Sequence, residues 1–169
     1  RDNLGFVFQE FNLLDTFSLQ DNIFLPLVLS GKSYSEMSER LEPIAKNLGI
    51  SEILGKYPYE VSGGQKQRAA VARALITNPK LVLADEPTGA LDSKASNELL
   101  SLFEKINESG QTVVMVTHSV KAASTAGRVL FIKDGEVFHQ IYRGTDTSEQ
   151  FYAKISDTLT LLSTGGDIK

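Results

Sequence analysis

Residues 80–93 read KLVLADEPTGALDS, and this stretch decides the fold class. Its first five residues form a nearly continuous apolar run, which is typical of a strand buried on both faces of a parallel sheet. Asp85 and Glu86 follow directly, so two carboxylates stand at the carboxyl end of that strand. Ser93 then provides a candidate N-cap for a helix. A strand that passes into a helix through an acidic turn favours an α/β domain.

The same alternation of strands and helices continues on both sides of this stretch. Apolar runs predict further strands, and Asp134-Gly135 predicts a tight hairpin between the last two. Apolar residues at helical spacing predict the helices. The predicted strands span residues 4–8, 80–84, 112–117, 128–132 and 136–142, and the predicted helices span residues 19–29, 35–48, 65–76, 93–107 and 148–162.

This element order predicts an α/β fold with a mainly parallel sheet. Residues 19–76 contain only predicted helices, which indicates a helical subdomain inserted into the sheet. A separate amphipathic helix, within residues 147–163, closes the predicted domain.

The composition limits the kinds of function to consider. The chain has 169 residues, 41% hydrophobic and 22% charged, a balance that excludes a disordered, collagen-like or coiled-coil chain. It contains no cysteine, which excludes disulfides, zinc–thiolate sites and thiol catalysis. The formal net charge of −4 argues against a generally basic surface for nucleic acid. No apolar run of about 18 residues occurs, so no membrane-spanning segment is predicted.

Two groups of residues suggest nucleotide chemistry. Open α/β sheets bind ligands beyond the carboxyl ends of their strands. There, Asp85 would hold Mg²⁺ through water and Glu86 would face a nucleophilic water; an ordinary solvated strand end is the alternative. Residues 62–65 (Ser62, Gly63, Gly64 and Gln65) open a predicted helix, where paired glycines let the backbone approach a phosphate. A plain helix cap or linker is the alternative there.

Two more polar residues follow predicted strands. His118 stands at the tip of the strand over residues 112–117, and Gln9 stands at the exit of the first strand. Taken alone, His118 fits a satisfied strand-end histidine as well as a catalytic one. The order and spacing of all these motifs, taken together, are far more specific than any one of them.

The chain resembles the nucleotide-binding domain of ATP-binding cassette transporters at each of these points, from residue 4 to about residue 140. The matching features are Gln9 with the Q-loop glutamine, VSGGQKQRAAVARAL at 61–75 with the signature and its helix, LVLADEPTGALD at 81–92 with the Walker B strand and D-loop, and His118 with the switch histidine. The signature departs from the family only at Val61, where leucine is commoner.

The resemblance implies Mg²⁺-dependent ATP hydrolysis in a head-to-tail dimer of two such domains. Glu86 would be the general base, His118 would contact the γ-phosphate, and Asp85 and Gln9 would attend the metal ion and the water. Residues 62–65 would contact the ATP held by the other subunit, and Asp92 would bridge the two subunits.

The resemblance also implies an integral-membrane permease as partner and a peripheral location at the cytoplasmic face of the membrane, with no role for nucleic acid. The permease would dock on the segment between Gln9 and Ser62. Exposed apolar side chains would make that contact, with Phe17, Phe24 and Leu27 as candidates; core packing is the alternative for each.

One motif of a complete cassette is missing from the 169 residues. The Walker A loop, G-x-x-x-x-G-K-[ST], cradles the β- and γ-phosphates. The nearest match is Gly31-Lys32-Ser33, but Pro26 stands where glycine is required and a helix precedes it in place of a strand. We therefore expect residues 1–169 to be the C-terminal two-thirds of one cassette, a partial RecA-like P-loop NTPase that lacks activity alone.

Two stretches favour a branch of the family. EPTGALDS at 86–93 resembles the branch that serves lipoprotein release, macrolide efflux and peptide-antibiotic resistance. The tail at 151–166 resembles ATPases of the bacitracin-export type. The alternative for the tail is a generic amphipathic helix whose inward side chains would be Phe151, Ile155, Leu159 and Leu162.

Two other functions remain open at this point. A soluble cassette ATPase of translation or DNA repair would need a basic face or a second cassette, which this acidic chain does not show. A non-catalytic interaction module would not need Gln9, Glu86 and His118, all of which are present.

Overall fold

The computed structural model of the chain describes residues 3–163. The chain divides into two compact units, residues 1–116 and residues 117–169. The predicted helical subdomain over residues 19–76 lies wholly inside the first unit, and its boundaries stay a prediction. Residues 164–166, part of the tail that resembles the bacitracin-export type, lie outside the described residues.

The first unit has the predicted alternation of strands and helices. Its elements are β1 (Leu4–Val7), α1 (Leu19–Val28), α2 (Tyr34–Leu48), α3 (Gly63–Leu75), β2 (Leu81–Asp85), α4 (Ser93–Glu108) and β3 (Thr112–Val116), with short 3₁₀ turns at Ser51–Ile53 and Pro58–Glu60.

The three strands of the first unit form a parallel sheet in the order β1-β2-β3, which confirms the predicted α/β class. Val7 pairs with Ala84, and Ala84 pairs with Met115. Parallel neighbours bring their carboxyl ends to the same edge of the sheet. The residues that follow β1 and β2 therefore share that edge.

One face of this sheet packs against the helices and contributes side chains to the main hydrophobic core. Helix α3 packs so closely on β1 that a Cβ built on Gly5 would lie 2.5 Å from the carbonyl oxygen of Ala74. Phe24 and Leu27 of α1 are 3% and 2% exposed and belong to this core, so core packing is correct for both. Phe17 is 40% exposed, so of these three candidates only Phe17 remains available for docking.

The other face of the sheet carries exposed apolar side chains on β1 and β3. Only β2, predicted to be buried on both faces, has all its apolar side chains buried or half-buried. Phe6 is 46% exposed, Val114 47% and Val116 60%. They alternate with the core-facing residues because successive side chains of a strand point to opposite faces. An apolar run shows that a strand can be buried on both faces, but the covering elements decide whether it is.

The second unit is an antiparallel hairpin with two helices. Its elements are α5 (Val120–Ala123), β4 (Arg128–Lys133), β5 (Glu136–Tyr142) and α6 (Ser148–Ser163). Asp134 and Gly135 both have positive φ, 53° and 82°, as a type I′ turn requires, so the predicted hairpin is confirmed.

A small separate core holds the second unit together. Phe131 of β4 packs with Phe151 and Ile155 of α6, and Leu162 lies partly buried against them. Leu159 is 41% exposed, which contradicts its predicted inward position. Helix α5 was not predicted from the sequence. Within residues 3–163 no helix combines the length and apolarity needed to cross a membrane.

Candidate nucleotide site

Gln9 and Glu86 leave the sheet side by side. Each lies two residues beyond Val7 and Ala84, the last residues that β1 and β2 pair with each other. The side chain of Gln9 lies against Gly89, since a Cβ built there would be 2.9 Å from Gln9 Nε2. Gly89 thus leaves the room that the Gln9 amide occupies beside the turn after Glu86. The structure brings these two predicted site residues together.

Glu86 has a strained backbone. Its φ is 42°, in the left-handed region that residues other than glycine rarely adopt. Its N–H donates to the carbonyl of Val116 at 2.8 Å, and its own carbonyl accepts from Gly89 N–H at 2.9 Å. Neighbouring strand β3 and a tight turn therefore hold the strain in place. Strain of this kind concentrates at functional sites, where it aims a side chain.

Asp85 is the last residue of β2, and its side chain is exposed. Within residues 3–163 its carboxylate has no hydrogen bond or ion pair, so its oxygens are open to a ligand. No cluster of three or more acidic or histidine side chains suited to a metal occurs in the described ranges. A single open carboxylate is compatible with Mg²⁺, which is often held by one or two carboxylates together with water and phosphate oxygens.

The donor set at this edge therefore fits a Mg²⁺ ion. Asp85 would hold it, and the amide oxygen of Gln9 would supply a second hard oxygen ligand. Bound there, the ion would neutralise phosphate charge.

Residues 62–65 form a capping box at the start of α3. Ser62 Oγ accepts from the N–H of Gln65 at 3.3 Å, and Gln65 Oε1 accepts from the N–H of Ser62 at 2.9 Å. The cap interpretation of Ser62 is therefore correct at the structural level. The capping box also holds the first turn so that its remaining free N–H groups point the same way, which is the geometry that anions prefer.

The two glycines of this turn allow a close approach to the start of α4. A Cβ built on Gly64 would lie 3.2 Å from Ala95 Cβ, and one built on Gly63 would lie 3.4 Å from Leu91 Cδ2. The N-terminal ends of α3 and α4 therefore meet, with the positive ends of both helix dipoles together.

A shallow cavity of about 310 Å³ lies where these helix ends meet. Arg68 of α3 forms an ion pair with Glu98 of α4 at 2.7 Å and donates to the carbonyl of Leu48 at 3.1 Å. The cavity is lined by Gly49, Ser62, Gly64, Gln65, Arg68, Asp92, Lys94, Ala95, Glu98 and Leu99.

Asp92 is the N-cap of α4, which corrects the prediction that Ser93 caps this helix. Asp92 Oδ1 accepts from the N–H of Ala95 at 2.8 Å. Ser93 is instead the first residue of the helix. Both residue types cap helices well, so the sequence alone did not discriminate between them.

His118 lies in the second unit, two residues beyond the end of β3, and its side chain is exposed. Its predicted role at the γ-phosphate stays a prediction.

Sequence reasoning missed two polar side chains of α3 that hold the loop containing Gln9. Gln67 is fully buried and donates to the carbonyls of Phe8 and Pro87. Arg73 donates to the carbonyls of Phe11 and Asn12. The sequence signal that could have found them is the presence of two long polar residues in an alanine-rich helix, on a face that is otherwise buried.

A parallel sheet with carboxylates at the end of its central strand, packed against a capped and glycine-opened helix, is an α/β arrangement of the kind that P-loop NTPases share. A family model described as "ABC transporter" matches residues 1–89. The chain belongs to the ABC transporter family.

Two relatives illustrate the similarity. The chain is 52% identical over 163 residues to the ABC transporter ATP-binding protein YxdL of Bacillus subtilis, covering 96% of this chain and 63% of that protein. It is 47% identical over 163 residues to the bacitracin export ATP-binding protein BceA of Halalkalibacterium halodurans, covering 96% of this chain and 64% of that protein. The chain thus spans less than two thirds of the length of these relatives.

Solved structures show the same fold. The ATP-binding cassette MJ0796, in a dimeric post-hydrolysis state bound to ADP and Pi, matches with a TM-score of 0.71 and 40% identity, covering 83% of this chain and 63% of that one. CbiO1 from Clostridium perfringens, part of the transporter complex cbiONQ, matches with a TM-score of 0.79 and 25% identity, covering 95% of this chain and 63% of that one.

Proposed function

We propose that this chain belongs to the ATP-binding and ATP-hydrolysing subunit of a membrane transporter. The observation that best supports this is the placement of Gln9 and the strained Glu86 side by side beyond β1 and β2. A water molecule held between these side chains would attack the γ-phosphorus as Glu86 accepts its proton. The bond to the β-phosphate oxygen then breaks, and ADP and phosphate leave.

Residues 62–65 would contact the nucleotide of a second subunit in a head-to-tail dimer. The capped N-terminus of α3 is exposed at Ser62, and its first turn offers free N–H groups to a phosphate. Asp92 would bridge the two subunits from the adjacent rim of the cavity, and His118 would contact the γ-phosphate. The dimeric state of the cassette MJ0796, bound to ADP and Pi, supports a dimer of such subunits.

A permease would dock on the exposed aromatic and apolar side chains of residues 10–61. Phe17 is 40% exposed, and Tyr57 and Tyr59 stack with ring centroids 5.5 Å apart on the same stretch. The subunit would therefore sit at the inner face of the cell membrane. Phe17→Ala is expected to weaken co-purification with the permease and leave the ATPase activity of the free subunit unchanged. Equal permease recovery with both proteins would contradict this surface.

The transported material would be a peptide antibiotic or a related lipid-associated compound. The similarity to BceA, named for bacitracin export, and to MacB of Campylobacter jejuni, named for macrolide export, supports an export function of this kind. Deletion of the gene should lower resistance to a cell-wall peptide antibiotic, and a Glu86→Gln copy should fail to restore it. Restoration by Glu86→Gln would contradict the proposal.

The decisive experiment is an ATPase assay on the full-length protein with Mg²⁺. We expect hydrolysis in the wild type and its loss, by a factor of about 10² or more, in Glu86→Gln. Glu108→Gln, the same change at an exposed residue at the C-terminal end of α4, is the matched control. Salt-dependent binding to nucleic acid with no permease partner would instead favour a cassette of translation or DNA repair.

The 169 residues alone are proposed to bind ATP weakly and not to hydrolyse it. They contain no Walker A sequence, so the loop and lysine that cradle the β- and γ-phosphates are not among them. Hydrolysis by the purified 169-residue chain that is abolished by Glu86→Gln would contradict this.

A further inference from the structure

The backbone immediately after Gln9 is held in a strained conformation. Phe11 and Asn12 have φ values of 63° and 47°, in the left-handed region, although neither is glycine. The N–H of Asn12 donates to the carbonyl of Glu10 at 2.6 Å, which closes a three-residue turn around Phe11. A turn of this type with positive φ is rare and strained, so surrounding contacts must hold it.

Arg73 supplies those contacts from the signature helix α3. Its guanidinium donates through Nη2 to the carbonyl of Phe11 at 2.8 Å and through Nη1 to the carbonyl of Asn12. One rigid, planar group thus donates a hydrogen bond to each of the two strained residues, a geometry that the single ammonium of lysine does not reproduce. Arg73 is partly buried, and this desolvation lowers the pKa of its guanidinium. Hydrogen bonds from a charged donor are stronger in such surroundings than in water.

Gln67, six residues earlier on α3, holds the backbone on the other side of Gln9. Its Nε2 donates to the carbonyl of Phe8 at 3.1 Å and to that of Pro87 at 2.8 Å. The nitrogen must face these two acceptors, because the amide oxygen would repel both of them. The buried Oε1 is left without a partner among the described residues. The free-energy cost of that unpaired oxygen is offset by the two hydrogen bonds that Nε2 makes.

We propose that Arg73 is a positioning residue for the ATPase reaction, since it holds the strained turn that sets the direction in which Gln9 leaves β1. Gln67 secures the opposite flank and also the turn after Glu86. The inference rests on the proposed function. It adds that α3, whose N-cap is Ser62, is tied to the backbone on both sides of Gln9 by these hydrogen bonds. The signature and the Gln9 loop form one hydrogen-bonded unit.

Hydrogen exchange tests the structural half of this proposal without nucleotide. In the full-length protein, Arg73→Met should raise the exchange rates of the Phe11 and Asn12 amides by about tenfold to a hundredfold, as expected for the loss of charged hydrogen bonds. Arg40→Met is the matched control. Arg40 of α2 also donates to a backbone carbonyl, that of Ile76, but lies outside the Gln9 loop.

Steady-state ATPase measurements on the same variants test the catalytic half. Arg73→Met should lower kcat by about tenfold, keep KM for ATP within about twofold, and raise the Mg²⁺ concentration for half-maximal rate. Arg73→Lys, which retains the charge and one donor direction, should recover part of kcat. A purely structural role would lower the amount of folded enzyme and leave the Mg²⁺ dependence unchanged.

Several outcomes would overturn the proposal. It fails if the Phe11 and Asn12 amides exchange equally in Arg73→Met and Arg40→Met, or if kcat and the Mg²⁺ dependence stay at wild-type values. If Arg73→Met does not fold, Arg73→Lys serves in both measurements, with Arg40→Lys as its control. An inactive wild type would contradict the proposed function and the catalytic half, while the exchange result would still decide the contacts of Arg73.

Discussion

Single polar side chains decide how the site of this protein is held. Glu86 and Phe11 both adopt positive φ without being glycine, and each is held by hydrogen bonds from a neighbouring element. These strained positions lie next to the proposed nucleotide chemistry. In contrast, the predicted hairpin turn at Asp134-Gly135 uses the residues that such a turn prefers.

At Gly5 the close packing of α3 on β1 predicts a sensitivity to one methyl group. Gly5→Ala should destabilise the full-length protein by about 1–3 kcal/mol, because a Cβ would lie 2.5 Å from the Ala74 carbonyl oxygen and helix backbone cannot easily yield. Chemical denaturation measures the change. Gly55→Ala is the control, since a Cβ there meets no atom within 4 Å. Equal stability of the two variants would contradict the packing.

At the start of α4 the identity of the cap can be tested directly. Asp92→Ala should cost about 0.5–2 kcal/mol of stability, because the N–H of Ala95 loses its acceptor, whereas Asp92→Asn should cost much less. Ser93→Ala should change stability little. Urea unfolding of the three variants gives the comparison, and a larger loss from Ser93→Ala than from Asp92→Ala would identify Ser93 as the cap after all.

Among whole elements, α2 shows how exposed charges stabilise a helix. Glu36 forms ion pairs with Lys32 at 3.1 Å and with Arg40 at 2.7 Å. The hydrogen bond from Lys32 is the largest cause that holds the pKa of Glu36 below its ordinary value. Desolvation opposes it, and the hydrogen bond and charge of Arg40 add to the lowering. The carboxylate therefore favours the folded helix whenever it is ionised.

The resulting pH dependence has a definite sign. Because the folded pKa of Glu36 is lowered, its contribution is present above the unfolded pKa of about 4 and is lost as the pH falls through the folded value. The midpoint temperature of thermal unfolding should thus fall more steeply between about pH 6 and pH 3 for the wild type than for Glu36→Gln. The difference should shrink in high salt. Parallel pH profiles at low salt would contradict this.

The helices and strands themselves were predictable from local pattern and capping chemistry. The signature helix begins where serine and glycine indicate, and the strands end at Asp85 and before His118, as the apolar runs indicate. Helix α5 escaped prediction because four residues give no periodicity to read. The position of Leu159 was wrong because amphipathic spacing does not show how far along α6 the small core extends.

For the whole molecule, the uncovered face of the parallel sheet is the main liability. Phe6 of β1 and Val114 and Val116 of β3 lie on the two strands that flank β2, and each is close to half exposed or more. Leu83 of β2 pairs with both Phe6 and Val114 and lies between them. Exposed apolar patches of this kind favour association, as do unpaired strand edges.

The purified 169-residue chain should therefore self-associate with rising concentration. The double variant Phe6→Ser, Val116→Ser should reduce the association measured by sedimentation velocity, because two exposed apolar side chains are replaced by polar ones. Leu29→Ser, at a 73% exposed residue of the helical region, is the control and should change it little. A wild-type chain that stays monomeric at high concentration would contradict the expectation.

The sequence by itself determined the α/β class, the order of the strands and helices, and the motif residues, because each of these follows from local periodicity, turn chemistry or motif spacing. Only the tertiary structure decided which carbonyls Gln67 and Arg73 hold, that Asp92 caps α4, that Phe24 and Leu27 are core, and which sheet face is covered. The physical reason is that these outcomes depend on contacts between residues distant in the chain. Arg73 and Asn12 are 61 positions apart. Over such a separation, local sequence pattern carries no information about which residues are in contact.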